Sequence, residues 1–153
     1  MVSCGQTNEN KSESKTKSIN QASTSQSEFA LRFINEYVAN CNKMKNAIGI
    51  AEWGNSNNLA TENFKTELTR IVTEANENNL DSGLDFDPIF DGQDYPEKGF
   101  DLESIDKSSD FLIVQGIDWN QFRLSMKVKN INGEWLVDGC GIVNIPNNQR
   151  VEK

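Results

Sequence analysis

The 153-residue chain contains no histidine. Histidine is the commonest general base and proton shuttle near neutral pH, and among the commonest zinc ligands. Nucleophilic triads built on histidine are therefore excluded, and zinc sites lose their usual nitrogen donor. The chain also lacks any run of 18 apolar residues, so no segment of it reads as a membrane-spanning helix. Basic excess is missing too: 15 Lys and Arg stand against 23 Asp and Glu, a net charge of −8 and a pI near 4.6. Nucleic-acid binders need a basic footprint to displace counterions from phosphates. An acidic chain of this kind points away from nucleic acid and from anionic lipid surfaces.

The length suits one domain and is short for two. Hydrophobic residues make up 36% of the chain, and the deficit lies in its beginning. After Gly5, residues 6–27 are Ser, Thr, Asn, Gln, Lys and Glu, with Ile19 and Ala22 as the apolar members. Such a stretch buries too little surface to offset its chain entropy and is expected to be a flexible tether. It follows Val2-Ser3-Cys4, which resembles the end of a bacterial lipoprotein signal. There the cysteine becomes the acylated first residue, and several acyl chains anchor a soluble domain stably. Cys4 is on this reading a lipidation site, and the membrane is touched only through its lipid. Such signals also have a charged start and an apolar stretch before the cysteine, and three residues precede Cys4 here. If Met1 is the native start, the alternative is a cytoplasmic protein. The expected division is 1–27 lipoprotein-type N-terminus and tether, 28–146 a single domain, and 147–153 a flexible tail.

Within the domain, Ala30, Phe33, Ile34, Tyr37, Val38, Cys41, Met44 and Ile48 recur at three- and four-residue steps. This predicts one amphipathic helix over 28–48, started near Ser27. Residues 49–58 read as irregular around Trp53, and a second helix is expected from about Leu59 through Ala75, with its start near Thr61. Five aspartates follow between 81 and 94. As a calcium loop starting at Asp87 this segment fails, because Ile89 and Lys98 occupy positions that require oxygen ligands. Asp87 is instead expected to cap a short turn opened by Pro88. No metal site and no cofactor are expected.

The remainder reads as strands: 100–105, 111–117, an alternating stretch at Phe122, Leu124, Met126 and Val128, and a last strand from Glu134 to about Ile145. Asn132-Gly133 is a strong hairpin signal. A two-residue turn there pairs Val128 with Val137, Met126 with Gly139 and Leu124 with Gly141. Lys127 then faces Asp138 on the outer face. In that register Cys140 lies outside, opposite Ser125, so a disulfide with Cys41 would need a bulge at Gly139 or Gly141. The two glycines also leave room on the inner face. Tyr37, Gly139 and Gly141 are thus the candidate lining of a ligand pocket, the alternative being that the long helix fills the gap.

The expected fold is α+β, with two to three N-terminal helices packed on a curved antiparallel sheet of about four strands. This order resembles the cone-shaped fold of nuclear transport factor 2-like and cystatin-like proteins. Within that group it resembles the YbjP/YqhG-type bacterial lipoprotein domain of unknown function. The likeness is carried by Asp87-Pro88, Gln93-Asp94-Tyr95, the strand after Phe111 and the stretch from Asn132 to Asp138, and spans roughly residues 28–145. It implies an envelope location and no known catalysis.

Three functions are weighed. The first is a non-enzymatic envelope domain that binds a protein or small ligand on the concave side of the sheet. The second is an immunity-type protein that neutralises a toxin, since acidic patches steer towards basic partners. The third is a small isomerase or hydratase, in which a buried Asp takes a proton and Tyr37 stabilises an oxyanion. In the register above Asp138 falls outside and Asp118 lies in a turn, so no carboxylate is placed beside Tyr37. No catalytic residue is assigned. Arg123, Lys127 and Lys129 on the outer face argue for a monomer.

Overall fold

A computed structural model describes residue 5, residues 13–106 and residues 108–152, with side chains described from Gln26 onward. Cys4 lies outside the described residues. The chain folds as α1 (Glu13–Cys41), α2 (Ile50–Ser56) and α3 (Glu62–Asn78), followed by β1 (Phe100–Ile105), β2 (Phe111–Gly116), β3 (Arg123–Ile131) and β4 (Glu134–Cys140). The strands form one antiparallel sheet in the order β1-β2-β3-β4. Three helices on an open four-stranded antiparallel sheet make the α+β fold read from the sequence.

Helix α1 differs from its expected span at both ends. It overlaps residues 13–27, which composition assigns to a tether; no glycine or proline interrupts residues 6–48, so nothing local stops a helix from propagating there. At the other end it stops at Cys41, seven residues short of Ile48. The reason is a side chain: the Asn40 amide donates to the Ile48 carbonyl (2.8 Å) and accepts from the Ile48 N–H (3.0 Å), which closes a loop over residues 40–48. Met44, at φ 53°, takes the left-handed conformation inside that loop. Met44 and Ile48, placed by periodicity on the buried stripe, are exposed instead.

The stretch expected to be irregular around Trp53 contains α2, and Trp53 is buried in it. Gly54 is where α2 meets α3, since a Cβ there would collide with Leu68 Cδ2. That glycine permits close helix packing rather than breaking a helix. Thr61 caps α3, its hydroxyl accepting from the Phe64 N–H at 3.1 Å, as its sequence position leads one to expect.

The core is a run of aromatic rings between α1 and the sheet. Phe33 meets Trp53 and Phe64 edge-on at 5.2 and 5.3 Å, and Phe90 stacks on Tyr95 at 4.8 Å. Leu112 and Val114 of β2 with Leu124, Met126 and Val128 of β3 complete the inner face.

The β3–β4 hairpin turns at Asn132-Gly133, both residues having positive φ, and Val128 pairs with Val137 as the turn dictates. Beyond that pair the register shifts. Lys127 pairs with Gly139 and Met126 with Cys140, so Asp138 is the extra residue of a bulge. The expected pairings Met126–Gly139 and Leu124–Gly141 are therefore replaced. Cys140 turns to the inner face and is fully buried, correcting its outward placement, and both Cys140 and Cys41 are free thiols.

The cause of the bulge lies beside the sheet edge. The Asp138 carboxylate accepts the Thr61 hydroxyl at 2.7 Å and approaches Lys127 Nζ at 3.6 Å, while Leu59 and Thr61 exchange backbone hydrogen bonds with Val137. One buried acid thus ties β4 to the start of α3. β4 then ends at Cys140 rather than Ile145. Gly141, at φ 62°, begins a tight reversal closed by two Cys140–Val143 backbone bonds. Residues 147–151, expected as a flexible tail, are held against β3: the Ser125 hydroxyl donates to the Gln149 carbonyl (2.9 Å) and accepts from the Val151 N–H (3.1 Å).

Candidate functional site

The expected pocket at Tyr37, Gly139 and Gly141 is not an open space. A Cβ at Gly139 would lie 2.7 Å from Ile145 Cδ1 and 3.1 Å from the Val143 carbonyl oxygen. A Cβ at Gly141 would collide with the carbonyl oxygens of Pro88 and Ile89. The bulge and the reversal after Cys140 bring backbone into the gap that a regular hairpin would leave. The glycines serve close packing, and neither borders the clefts described below.

Tyr37, at 2% exposure, sits in the core between Trp53 and Phe90. Its hydroxyl donates to Asp87 Oδ2 at 2.5 Å. Periodicity along α1 and strand register together placed no carboxylate here; the partner comes from fifty residues away, out of the Asp87-Pro88 turn. The capping role of Asp87 is as expected: Oδ1 accepts from the N–H groups of Ile89 (2.8 Å) and Phe90 (3.0 Å). Burial, and next to it the Asp87 charge, push the Tyr37 phenol far above the usual tyrosine range. The Cys41 thiol is pushed up to about 11, by burial first and the Asp87 charge second, against an opposing hydrogen bond from Tyr37.

This arrangement has limited chemistry. The phenol proton is directed at Asp87, so the hydroxyl is not presented to a substrate oxyanion. Asp87 uses both oxygens to hold the turn and the tyrosine. Neither the phenol nor the thiol ionises near neutral pH, which removes them as nucleophiles. The group joins α1 to the acidic turn through the core and reads as an architectural lock.

Among the described residues, two clefts open elsewhere. One, of about 440 Å³, lies between α2 and the acidic turn, with Ile50, Leu84 and Phe86 as its apolar lining beside Asp85, Asp87 and Gln93. It belongs to the segment that carries the charge of the molecule: residues 81–106 hold nine carboxylates and one base, Lys98, and so account for the whole net charge of −8.

The second cleft, of about 280 Å³, lies on the outer face of the sheet. Its floor is Phe111 and Ile113 of β2, and Ser104, Asp106, Ser109, Ser125 and Gln149 stand around it. The floor departs from the pattern of its neighbours. On this face β3 presents Arg123, Ser125 and Lys127, and β1 presents Asp101 and Ser104, while β2 between them presents Phe111, Ile113 and Gln115. In sequence β2 opens with four consecutive apolar residues, Phe111 to Val114, as a strand in the interior of a sheet often does. Position in the centre explains the inner residues Leu112 and Val114; it does not explain the outer two, since helices cover one face of the sheet.

Among the described residues no group of three or more Cys, Asp or Glu side chains is placed to hold a metal ion, and no helix is long and apolar enough to cross a membrane. No family model, curated protein or solved structure matches the chain.

Proposed function

We propose that the chain is a non-enzymatic binding domain of a bacterial cell envelope, akin to YbjP/YqhG-type lipoprotein domains and held to the membrane by lipid on Cys4. Its ligand or partner is taken on the outer face of the sheet, not on the concave side. The observation that carries binding is the cleft floored by Phe111 and Ile113, two apolar side chains facing out of a strand flanked by polar neighbours. An apolar floor set within a polar face is surface that a ligand or partner can cover. The closed Tyr37–Asp87 pair supports the same reading against an isomerase, because this tyrosine and carboxylate are committed to holding the fold. Location in the envelope rests on the Val2-Ser3-Cys4 motif and the polar segment after it.

A second reading, neutralisation of a basic toxin, is favoured by the concentration of the net charge in residues 81–106 beside an apolar cleft. Binding of that kind would weaken steeply with salt, whereas binding at the outer-face cleft would not.

Fractionation of the native host tests the anchor. The wild-type protein is expected in the membrane fraction with the mass of a chain starting at acylated Cys4, and Cys4→Ser in the soluble fraction. Wild-type protein that is soluble and unacylated would remove the envelope reading.

A further inference from the structure

The reading of the domain as a binding module can be taken to a ligand class. We infer that the outer-face cleft takes a small uncharged ring compound carrying a hydroxyl or carbonyl group, an inference that rests on that reading. Four observations lead there. The floor is the Phe111 ring beside the Ile113 side chain, and a flat apolar body lies on such a floor with most contact. The volume, about 280 Å³, sits just below the range of roughly 300–1,000 Å³ usual for small-molecule sites. It suits one ring with short substituents rather than a long chain.

Three charged side chains at or near the cleft, Asp106, Arg123 and Lys127, already have partners among the described residues. Asp106 accepts from the Ser108 N–H and hydroxyl and from the Ser109 hydroxyl, at 2.9, 2.7 and 2.8 Å. Arg123 pairs with Glu103 at 2.7 Å, and Lys127 pairs with Asp138 while its Nζ lies 5.8 Å from the Phe111 ring centre. An anionic ligand would face the Asp106 carboxylate, and a cationic one would have to compete with the hydrogen bonds and ion pairs already made. Finally, uncharged polar residues stand beside the Asp106 carboxylate in the walls: Ser104 from β1, and Gln149 from the C-terminal segment that Ser125 pins in place.

The test is a titration of the whole ¹⁵N-labelled chain with phenol, benzoate and benzylamine, followed amide by amide. Phenol is expected to give saturable shifts at residues 104, 109, 111, 113 and 149, with benzoate and benzylammonium at least about tenfold weaker. Ile113→Asp is expected to weaken phenol by at least about tenfold with the fold intact. Should that variant unfold, Ser104→Trp fills the cleft from an exposed position and carries the same expectation. The inference is overturned by phenol shifts that do not saturate, by shifts confined to other residues, or by benzoate binding as well as phenol. Shifts at the same amides on simple dilution of the protein would also overturn it, making this face a contact between copies. None of these outcomes bears on the anchor, which the fractionation decides separately.

Discussion

The two faces of one sheet follow different rules. Inside, Leu112, Val114, Leu124, Met126 and Val137 are buried against α1 and the aromatic core. Outside, the cover is partial: the C-terminal segment reaches Ser125 of β3, and the apolar side chains of β2 line a cleft. Burial on the inner face is what stabilises the fold, and incomplete cover on the outer face is what the proposed binding rests on. The contrast separates two grounds for apolar residues in one strand: burial for Leu112 and Val114, and the proposed binding for Phe111 and Ile113.

The comparison can be broken by mutation. The largest effect is expected at the inner core. Phe33→Ala removes a fully buried ring that packs on Trp53 and Phe64, and should lower the unfolding free energy in urea by about 3–5 kcal/mol. A smaller loss is expected at the sheet edge. Asp138→Ala strips the Thr61 hydroxyl of its acceptor and Lys127 of its partner in a site where Asp138 is 5% exposed, a cost of about 1–3 kcal/mol. The same variant removes the tie that shapes the bulge, so amide shifts should spread along residues 125–140. A Thr61→Val change should reproduce part of both effects, since it removes the hydroxyl from the other side of the bond.

Tyr37→Phe follows, at about 1–2 kcal/mol for the lost hydrogen bond to Asp87. Here pH sharpens the comparison. Tyr37 and Cys41 both have folded-state pKa values raised above their unfolded values, so their contribution is complete below the unfolded pKa and is lost as pH rises. For Cys41 the window runs from the ordinary thiol value of 9.0 to about 11. Urea midpoints measured from pH 7 to 11 should fall above pH 9, and Cys41→Ala should shallow the fall between 9 and 11. Tyr37→Phe should shallow the part above pH 10, where an unfolded tyrosine ionises. An unchanged slope in both variants would show that the buried lock does not govern alkaline stability.

Much of the inner architecture was legible in the sequence. The stripe at Phe33, Ile34, Tyr37 and Val38 marked the buried helix face, and Asn132-Gly133 set the first pairing of the last hairpin. What was not legible came from side chains acting across long separations. Asn40 ends α1 early by binding Ile48, and Asp138 leaves the regular ladder for Thr61, seventy-seven residues away. That single bulge reverses Cys140 and closes the gap expected at Gly139 and Gly141. Tyr37 was singled out, but its partner was hidden because Asp87 carries the local signature of a turn cap and serves as both. The outer-face cleft did have a sequence signal, namely Phe111 and Ile113 in a strand with one helix-covered face, yet an unbroken apolar run does not say which of its two faces lacks cover.

The most direct test compares two neighbours in β2, Leu112→Ala on the inner face and Ile113→Ala on the outer, each assayed for stability and for phenol binding. The account predicts that Leu112→Ala costs about 2–5 kcal/mol, while Ile113→Ala costs less than about 1 kcal/mol and weakens phenol binding. Equal destabilisation by the two changes, with phenol binding untouched by the second, would contradict it.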